Sequence, residues 1–207
     1  MEHDTRSKLI EIATQLFATK GFAAVSVREL TVTAQINVAA ISYYFNGKEG
    51  LYQAVLTEQF APILQALRSA QLNDSLSPVE RLTLYADQIA HIHAQRPFLA
   101  RFMNNEVNNP TGYGGPIIEK HFSQVYQFMH TALREGIARG DFREDLNVTY
   151  ATISLVGILN FYFMARPLIQ KFTLFTEQTH TESEYTAQAF RIYLHGITQQ
   201  PQTGQES

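Results

Sequence analysis

Apolar residues recur every three or four positions along most of this chain, and few stretches alternate apolar and polar residues. The apolar positions of the first segment are Leu9, Ile12, Ala13, Leu16 and Phe17. Their spacing predicts a helix over about residues 6–20, between an N-cap at Thr5 and a terminating glycine at Gly21. Because the same periodicity returns in every later segment, we expect an all-α protein of about nine helices.

Two short helices are predicted after the first one. Ser26 and Glu29 have the spacing of a capping box at the start of helix two, in which the Glu29 side chain reaches back to the Ser26 amide. A break at residues 35–37 separates this helix from a third, which Asn37 caps. Ile41, Tyr44 and Phe45 share one face of helix three and are expected to point inward.

The later segments predict six longer helices. The first follows residues 46–47 and has a kink at Pro62, and the next runs from the start signal Ser77–Glu80 to about residue 95. The third contains Phe98, Phe102 and Met103 and ends in a loop at 108–115. The last three are a helix at 116–139, a helix that Asn147 caps and that runs to about 172, and a helix at 183–199. These limits divide the chain into residues 1–47, residues 48–200 and a flexible tail at 201–207.

Composition narrows the classes of protein. The chain has 207 residues, of which 45% are hydrophobic and 17% charged, so we expect a globular fold. It has no cysteine, which excludes disulfides and thiolate metal sites. No secretion signal is visible, and the apolar stretch at 150–164 is shorter than the roughly 18 residues that span a bilayer. These features predict a cytoplasmic protein that does not enter the membrane.

The outward face of helix three is the most informative surface. Two short helices with a tight turn also form plain αα-hairpins, whose outer faces are normally rich in charge. Here that face carries Val38, Ala39, Ser42 and Tyr43. Small side chains let a helix backbone approach base edges in a major groove, where Val38 or Ala39 would contact a thymine methyl group. The pattern favours a DNA-reading helix.

Residues 5–51 resemble the DNA-binding domain of the TetR family of repressors. The similarity is carried by Leu16-Phe17, Gly21-Phe22, Ser26 to Leu30, Ile41 to Phe45 and Lys48 to Leu51. Gln35 stands where the family usually has a glycine in the turn. The residue types and the resemblance together predict DNA contacts from Ser26, Arg28, Asn37, Val38, Ala39, Ala40, Ser42, Tyr43, Tyr44 and Lys48.

The overall charge is −3, and residues 1–49 hold five Lys or Arg against five Asp or Glu. Few cations release few counterions, so we predict a modest salt dependence of DNA binding. Its slope of log K against log salt should be no steeper than about −6 for a dimer.

The apolar helix around residues 150–164 predicts burial on two sides, one of them against a partner. The resemblance implies that this segment and residues 185–197, in the last two helices, form a homodimer interface. It also implies a pocket for a small effector. We therefore expect residues 1–47 to be a helix-turn-helix DNA-binding domain and residues 48–200 to be an effector-binding and dimerisation domain. The residues predicted to contact the effector are Tyr85, Ile89, His93, Phe102, Glu106, Phe122, Tyr126, Met129, Asn160 and Phe161.

Alternatives for these residues remain open. Aromatic and sulfur side chains in the middle helices are also typical of an ordinary core. His91 and His93 are two positions apart and point in different directions on a helix, so we expect no metal site and no cofactor. No nucleophile elbow or glycine-rich phosphate loop appears, and we expect no enzyme. A structural DNA-binding protein that recruits a protein partner without an effector is the alternative to a ligand-responsive repressor.

Overall fold

The computed structural model describes residues 2–71, 75–171 and 181–198. These residues form nine α-helices and no strand, which confirms the all-α prediction for the described part of the chain. The helices, numbered in chain order, are α1 Glu2–Lys20, α2 Val27–Ala34, α3 Ala39–Phe45, α4 Lys48–Gln71, α5 Pro78–Gln95, α6 Leu99–Asn108, α7 Gly115–Arg139, α8 Val148–Ile169 and α9 Glu182–Ile197. The predicted tail at residues 201–207 lies outside the described residues.

Side-chain caps explain where several helices begin. Asn147 accepts a hydrogen bond from the Tyr150 amide at 3.1 Å at the start of α8. Thr181 and Glu184 form a complete capping box before α9. At α2 only half of the predicted box exists, because the Ser26 hydroxyl accepts from the Glu29 amide at 3.1 Å while the Glu29 carboxylate pairs with Lys20.

Three helix boundaries differ from the periodicity. Helix α1 begins at Glu2, four residues before the predicted start, because its polar first turn carries no apolar pattern. Helices α8 and α9 end at Ile169 and Ile197, before the predicted ends near residues 172 and 199, which lie outside the described residues. Helix α4 continues through Pro62 without a break in the assigned helix.

The described chain divides into two compact units. The first comprises Met1–Ile63 and Gln95–Phe122, and the second comprises Leu64–Ala94 and Ser123–Ser207. Core residues of the first unit are Leu9, Phe17, Leu30, Ile41, Leu51, Leu56 and Phe102. Those of the second are Leu82, Ile89, Met129, Leu133, Leu155 and Leu159. The predicted boundary between residues 47 and 48 stays a prediction.

Helix α8 is long and apolar enough to cross a bilayer by length and composition alone. It spans 22 residues, and its most apolar window has a mean hydropathy of 1.5. The helix is longer than the apolar stretch because it continues past Met164 to Ile169. Length and composition do not distinguish a membrane span from a core helix, and 39% of this window is buried within the chain.

Candidate nucleic-acid interface

Helices α2 and α3 are held in the first unit by their apolar faces. Leu30 and Ala34 of α2 and Ile41 and Phe45 of α3 are buried. Gly50 lets α4 start close behind α3, since a Cβ atom there would lie 1.8 Å from the Phe45 carbonyl oxygen. The inward face predicted for α3 is therefore present, although Tyr44 is only half-buried.

The turn between α2 and α3 is made without glycine. Gln35 has φ 54° and ψ 47°, the left-handed conformation, and its amide bonds to the carbonyls of the last turn of α2. This conformation costs a residue with a Cβ atom about 1–2 kcal/mol. Gln35 thus adopts a left-handed backbone conformation, which favours glycine, at the position where the family usually has glycine.

Asn37 sets the start of α3. Its side-chain oxygen accepts from the Ala39 amide at 2.8 Å, and its carbonyl accepts from the Ala40 amide at 3.0 Å. This is the bonding of an N-cap residue, one position before the cap assigned from the helix limits. Asn37 therefore caps α3, as predicted, next to the face that is predicted to contact DNA.

The outer face of α3 is exposed and uncharged. Tyr43 is 74% exposed and Val38 55% exposed, and Ala39 and Ser42 are also exposed. Tyr43 and Tyr44 contact each other edge to face, with 4.8 Å between ring centroids. Such a surface offers a hydroxyl, a methyl group and aromatic rings, with little side-chain bulk between the helix backbone and a groove.

The cations near this face have different surroundings. The Lys48 ammonium lies 4.3 Å from the centroid of the Phe22 ring, and Arg28 and Ser26 at the start of α2 are exposed. Lys20 is paired with Glu29, which leaves it less available to phosphate. The Arg6 guanidinium lies 5.4 Å from the Phe45 ring centroid, beside the end of α3. Sequence spacing did not single out Arg6, because this neighbour lies in another helix.

The ten predicted effector contacts are divided between the two units. Phe102, Glu106 and Phe122 belong to the first unit, and Phe102 and Glu106 are buried there. Tyr85, Ile89, His93, Met129 and Asn160 are buried in the second unit. Tyr126 and Phe161 belong to the second unit but are exposed, as is Phe122 in the first. The buried members of the second unit are thus the largest group within one body.

His93 is the most polar member of that buried group. It is 7% exposed, its ring stacks on Phe163 with 3.8 Å between centroids, and its Nε2 atom lies 3.3 Å from Asn160 Oδ1. Burial lowers the pKa of His93 to about 4, and the Asn160 hydrogen bond opposes this only in part. At neutral pH His93 is therefore uncharged and donates to the Asn160 side chain through Nε2.

Glu106 and His121 each have a hydrogen-bond partner of their own. Glu106 is 4% exposed, and its Oε1 atom accepts from the Tyr52 hydroxyl at 2.6 Å. His121 Nδ1 lies 2.6 Å from the Ile117 carbonyl oxygen. Within the described residues, no group of three His, Asp or Glu side chains is placed to hold a metal ion.

A cavity of about 170 Å³ lies in the second unit, lined by Leu64, Leu67, Arg68, Gln71, Gln124 and Gln127. It is smaller than the roughly 300–1,000 Å³ typical of drug-sized ligand sites. None of the ten predicted effector contacts lines it.

Two family models match the chain. One is described as "Bacterial regulatory proteins, tetR family" and matches residues 9–55, which contain α2, α3 and the predicted DNA-contact residues. The other is described as "Tetracyclin repressor-like, C-terminal domain" and matches residues 75–164.

Curated relatives carry regulator names. The chain is 39% identical over 109 residues to the probable HTH-type transcriptional regulator YttP of Bacillus subtilis, and it spans about half of that protein, 52% of each chain. It is 26% identical over 188 residues to the HTH-type transcriptional repressor NicS of Pseudomonas putida, a match that covers 81% of this chain and 80% of that protein.

Solved structures share the fold. The ketosteroid transcriptional regulator KstR2 of Mycobacterium tuberculosis superposes with a TM-score of 0.72 at 21% identity, over 94% of this chain and 95% of that one. The fatty acid degradation regulator FadR of Bacillus halodurans gives 0.74 at 19% identity, over 93% and 95% of the two chains.

Proposed function

The chain belongs to the TetR family of bacterial regulatory proteins, and we propose that it is a cytoplasmic, dimeric repressor that a small, mostly apolar effector releases from a near-palindromic operator. Relatives named as transcriptional repressors support the repressor role. The observation that carries the proposal is the exposed, uncharged face of α3, positioned by the Asn37 cap and followed by Lys48.

The proposed division of labour on DNA follows from the surroundings of each side chain. Val38, Ala39 and Ser42 have the size and exposure to meet base edges, whereas Tyr43 and Lys48 have the reach and chemistry for phosphate. The amides at the start of α2, beside Ser26 and Arg28, add phosphate donors.

A homodimer through α8 and α9 is supported by a stripe of apolar residues on the outside of α8. Tyr150, Ile153, Phe161 and Leu168 are each more than half exposed, and Gly157 and Met164 continue the stripe. Their spacing of three and four places them on one face of the helix. Ile192 of α9 is exposed as well, and α8 and α9 are joined by hydrogen bonds from Tyr185 and Tyr193 to α8 carbonyls.

This stripe gives Phe161 a different proposed role from the one expected for it. Its ring is 64% exposed within the chain, so it would reach a partner subunit more readily than a ligand inside its own unit. Two-fold dimers are the commonest soluble assemblies and suit a palindromic DNA site.

The effector is proposed to bind among the buried residues of the second unit, with neutral His93 and Asn160 as polar anchors beside Tyr85, Ile89 and Met129. Two structural neighbours are named as a ketosteroid regulator and a fatty acid degradation regulator, and ketosteroids and fatty acids are mostly apolar molecules. Effector binding would favour a conformer of the dimer in which the two DNA-binding heads, residues 1–47 of each subunit, no longer match the operator.

The test of DNA recognition compares three variants on duplexes that the wild-type protein selects from a random library. Tyr43→Ala and Lys48→Ala should weaken binding to all selected sequences by similar factors. Val38→Ala should change the preference at one base pair, by about 1 kcal/mol or more. Three variants that all bind like wild type would contradict the proposed interface.

A thermal-shift screen tests the effector. Steroids, fatty acids and aromatic compounds should include at least one that raises Tm in proportion to its concentration and releases the selected duplex. If the duplex is bound but no compound has either effect, the effector-independent structural role is favoured instead.

A further inference from the structure

A short loop of the first unit contacts the proposed DNA-binding head, residues 1–47. Residues 109–114 join α6 to α7, and the Tyr113 ring of this loop packs on the Phe22 ring, with 5.3 Å between centroids. The Gln53 side-chain amide also donates to the Tyr113 carbonyl at 3.3 Å. Phe22 lies between α1 and α2, so the loop reaches the turn that leads into the DNA-reading helices.

The loop is anchored on a buried carboxylate. Glu106 Oε2 accepts from the Thr111 amide at 3.3 Å, and Oε1 accepts from the Tyr52 hydroxyl of α4 at 2.6 Å. Within the part of the chain that the structure describes, no cation pairs with Glu106. A buried polar group that loses its hydrogen-bond partner is costly, so Glu106 holds Tyr52 and Thr111 in place.

The fit around the anchor is close. A Cβ atom at Gly114 would lie 2.4 Å from the Glu106 carboxyl carbon and 2.7 Å from Leu56 Cδ1. The Thr111 hydroxyl accepts from the Tyr113 and Gly114 amides at 3.3 and 3.1 Å, which fixes the turn. A Cβ atom at position 114 would therefore force either the loop or the Glu106 side chain to shift.

The chain of contacts ends on a cation. Phe22, which lies against Tyr113 on one side, has the Lys48 ammonium 4.3 Å from its ring centroid. The centroids of the Phe22 and Tyr52 rings are also 4.9 Å apart. Both hydrogen-bond partners of Glu106, Tyr52 and the loop, are therefore connected to the Phe22 ring. An ammonium is attracted to the face of an aromatic ring, and the ring therefore limits where Lys48 can lie.

We infer that Glu106 and Tyr113 are positioning residues for DNA binding: through loop 109–114 and the Phe22 ring they place the Lys48 ammonium for its phosphate contact. This inference rests on the proposed function, because it assigns a cause to the position of a proposed DNA contact. It also connects α6 to the head, so a change at the end of α6 would reach Lys48 without any contact to DNA.

The experiment is a double-mutant cycle of Tyr113→Ala and Lys48→Ala in the full chain. Binding is measured on a duplex selected by the wild-type protein from a random library. Tyr113→Ala should weaken binding roughly tenfold, since one cation–π contact is disturbed in each of two heads. It should also reduce the slope of log K against log salt by about 1.8, the loss of one phosphate contact per head.

The cycle separates positioning from general destabilisation. In the Lys48→Ala background, Tyr113→Ala should have no further effect on affinity or slope, because Lys48 is the group through which it acts. Tyr113→Phe, which keeps the ring, should restore wild-type binding. Effects of Tyr113→Ala and Lys48→Ala that simply add would overturn the inference, as would a Tyr113→Ala protein that binds like wild type.

A second variant tests the anchor itself. Tyr52→Phe keeps the ring that packs on Phe17 and Phe22 and removes only the donor to Glu106. It should lower affinity and salt slope in the same direction as Tyr113→Ala, with helix content by circular dichroism unchanged. An unchanged slope with Tyr52→Phe would contradict the anchoring role. If the wild-type protein selects no duplex at all, the proposed function fails, whatever the variants show.

Discussion

Helices α3 and α8 both turn an uncharged face to solvent, but the two faces are made of different side chains. That of α3 carries small residues, hydroxyls and one exposed tyrosine, next to a capped helix start. That of α8 carries Tyr150, Ile153, Phe161 and Leu168 around Gly157. A face of small and polar groups suits a polar partner that must come near the backbone, whereas a face of large apolar groups suits another apolar surface.

The lack of charge therefore has a different consequence on each of these two helices. In the proposed complex, the uncharged face of α3 leaves room for base edges, and the phosphate contacts are made by neighbouring groups such as Lys48 and Arg28. In the proposed dimer, the uncharged face of α8 is apolar area that a second copy of the chain buries. A negative charge placed on each face should therefore produce two separable defects.

The largest effect is expected on α8. Phe161→Glu would bury an unpaired carboxylate in the proposed interface from each subunit, so the dimer should weaken by about 100-fold or more. Specific DNA binding should fall with it, because one head alone makes few base contacts. Analytical ultracentrifugation measures the dimer constant. Thr131→Glu, at an exposed position on α7, is the matched control and should leave the dimer intact.

The same change on α3 should affect DNA alone. Ser42→Glu would bring a carboxylate against the base edges and phosphates of the groove, and DNA affinity should fall by about 100-fold, a difference of about 3 kcal/mol. The dimer constant should not change. A gel-shift titration with the selected duplex measures the DNA affinity, and ultracentrifugation measures the dimer constant. Dissociation of the dimer by Ser42→Glu would contradict the difference between the two faces.

The buried side of α8 provides a third, smaller effect. His93 contacts Asn160 and Phe163 of α8, and its pKa is lowered to about 4 in the folded chain, below the ordinary value near 6.5. Since the unfolded chain binds the proton first, stability should be complete above about pH 6.5 and decrease as the pH falls toward 4, by at most about 3 kcal/mol.

Urea unfolding at several pH values measures this contribution. His93→Gln should make stability less dependent on pH between 6.5 and 4, whereas His195→Gln, at an exposed position on α9, should leave the dependence unchanged. Burial also lowers the pKa of His121, so part of the dependence should remain in the His93 variant. Identical pH dependence in wild type and His93→Gln would be inconsistent with the buried neutral histidine.

The smallest effect concerns the turn before α3. Gln35 adopts the left-handed conformation, so Gln35→Gly should remove its strain and raise the free energy of unfolding by about 0.5–1 kcal/mol, after the entropy cost of glycine. Tm should rise by about 2–4 °C. DNA affinity should change little, and a lower Tm would show that the turn depends on a contact of the Gln35 side chain.

Local signals predicted much of this structure. The caps at Asn37 and Asn147 and the inward positions of Ile41 and Phe45 follow from spacing within one helix. Glu29 shows the limit of such reasoning, because its carboxylate pairs with Lys20, nine positions away, in place of closing the capping box. Partners in other helices leave no periodic trace.

The placement of candidate site residues was harder to predict. Periodicity cannot tell which side of a helix that is apolar nearly all round faces the core, and Phe161 turned out to be exposed. The partner of Glu106 is Tyr52, 54 positions away, a contact that depends on how α6 packs against α4. The sequence therefore indicated caps and inward positions within one helix more reliably than contacts between helices.

We propose that α3 of each of two subunits reads one half of a DNA site. Selection of random-sequence duplexes by the whole chain, followed by native mass spectrometry of the complex, tests this most directly. We expect an inverted repeat whose half-sites are about one helical turn or a multiple apart, with an even number of chains per duplex. No enriched sequence, or one chain bound to a single unrepeated site, would contradict it.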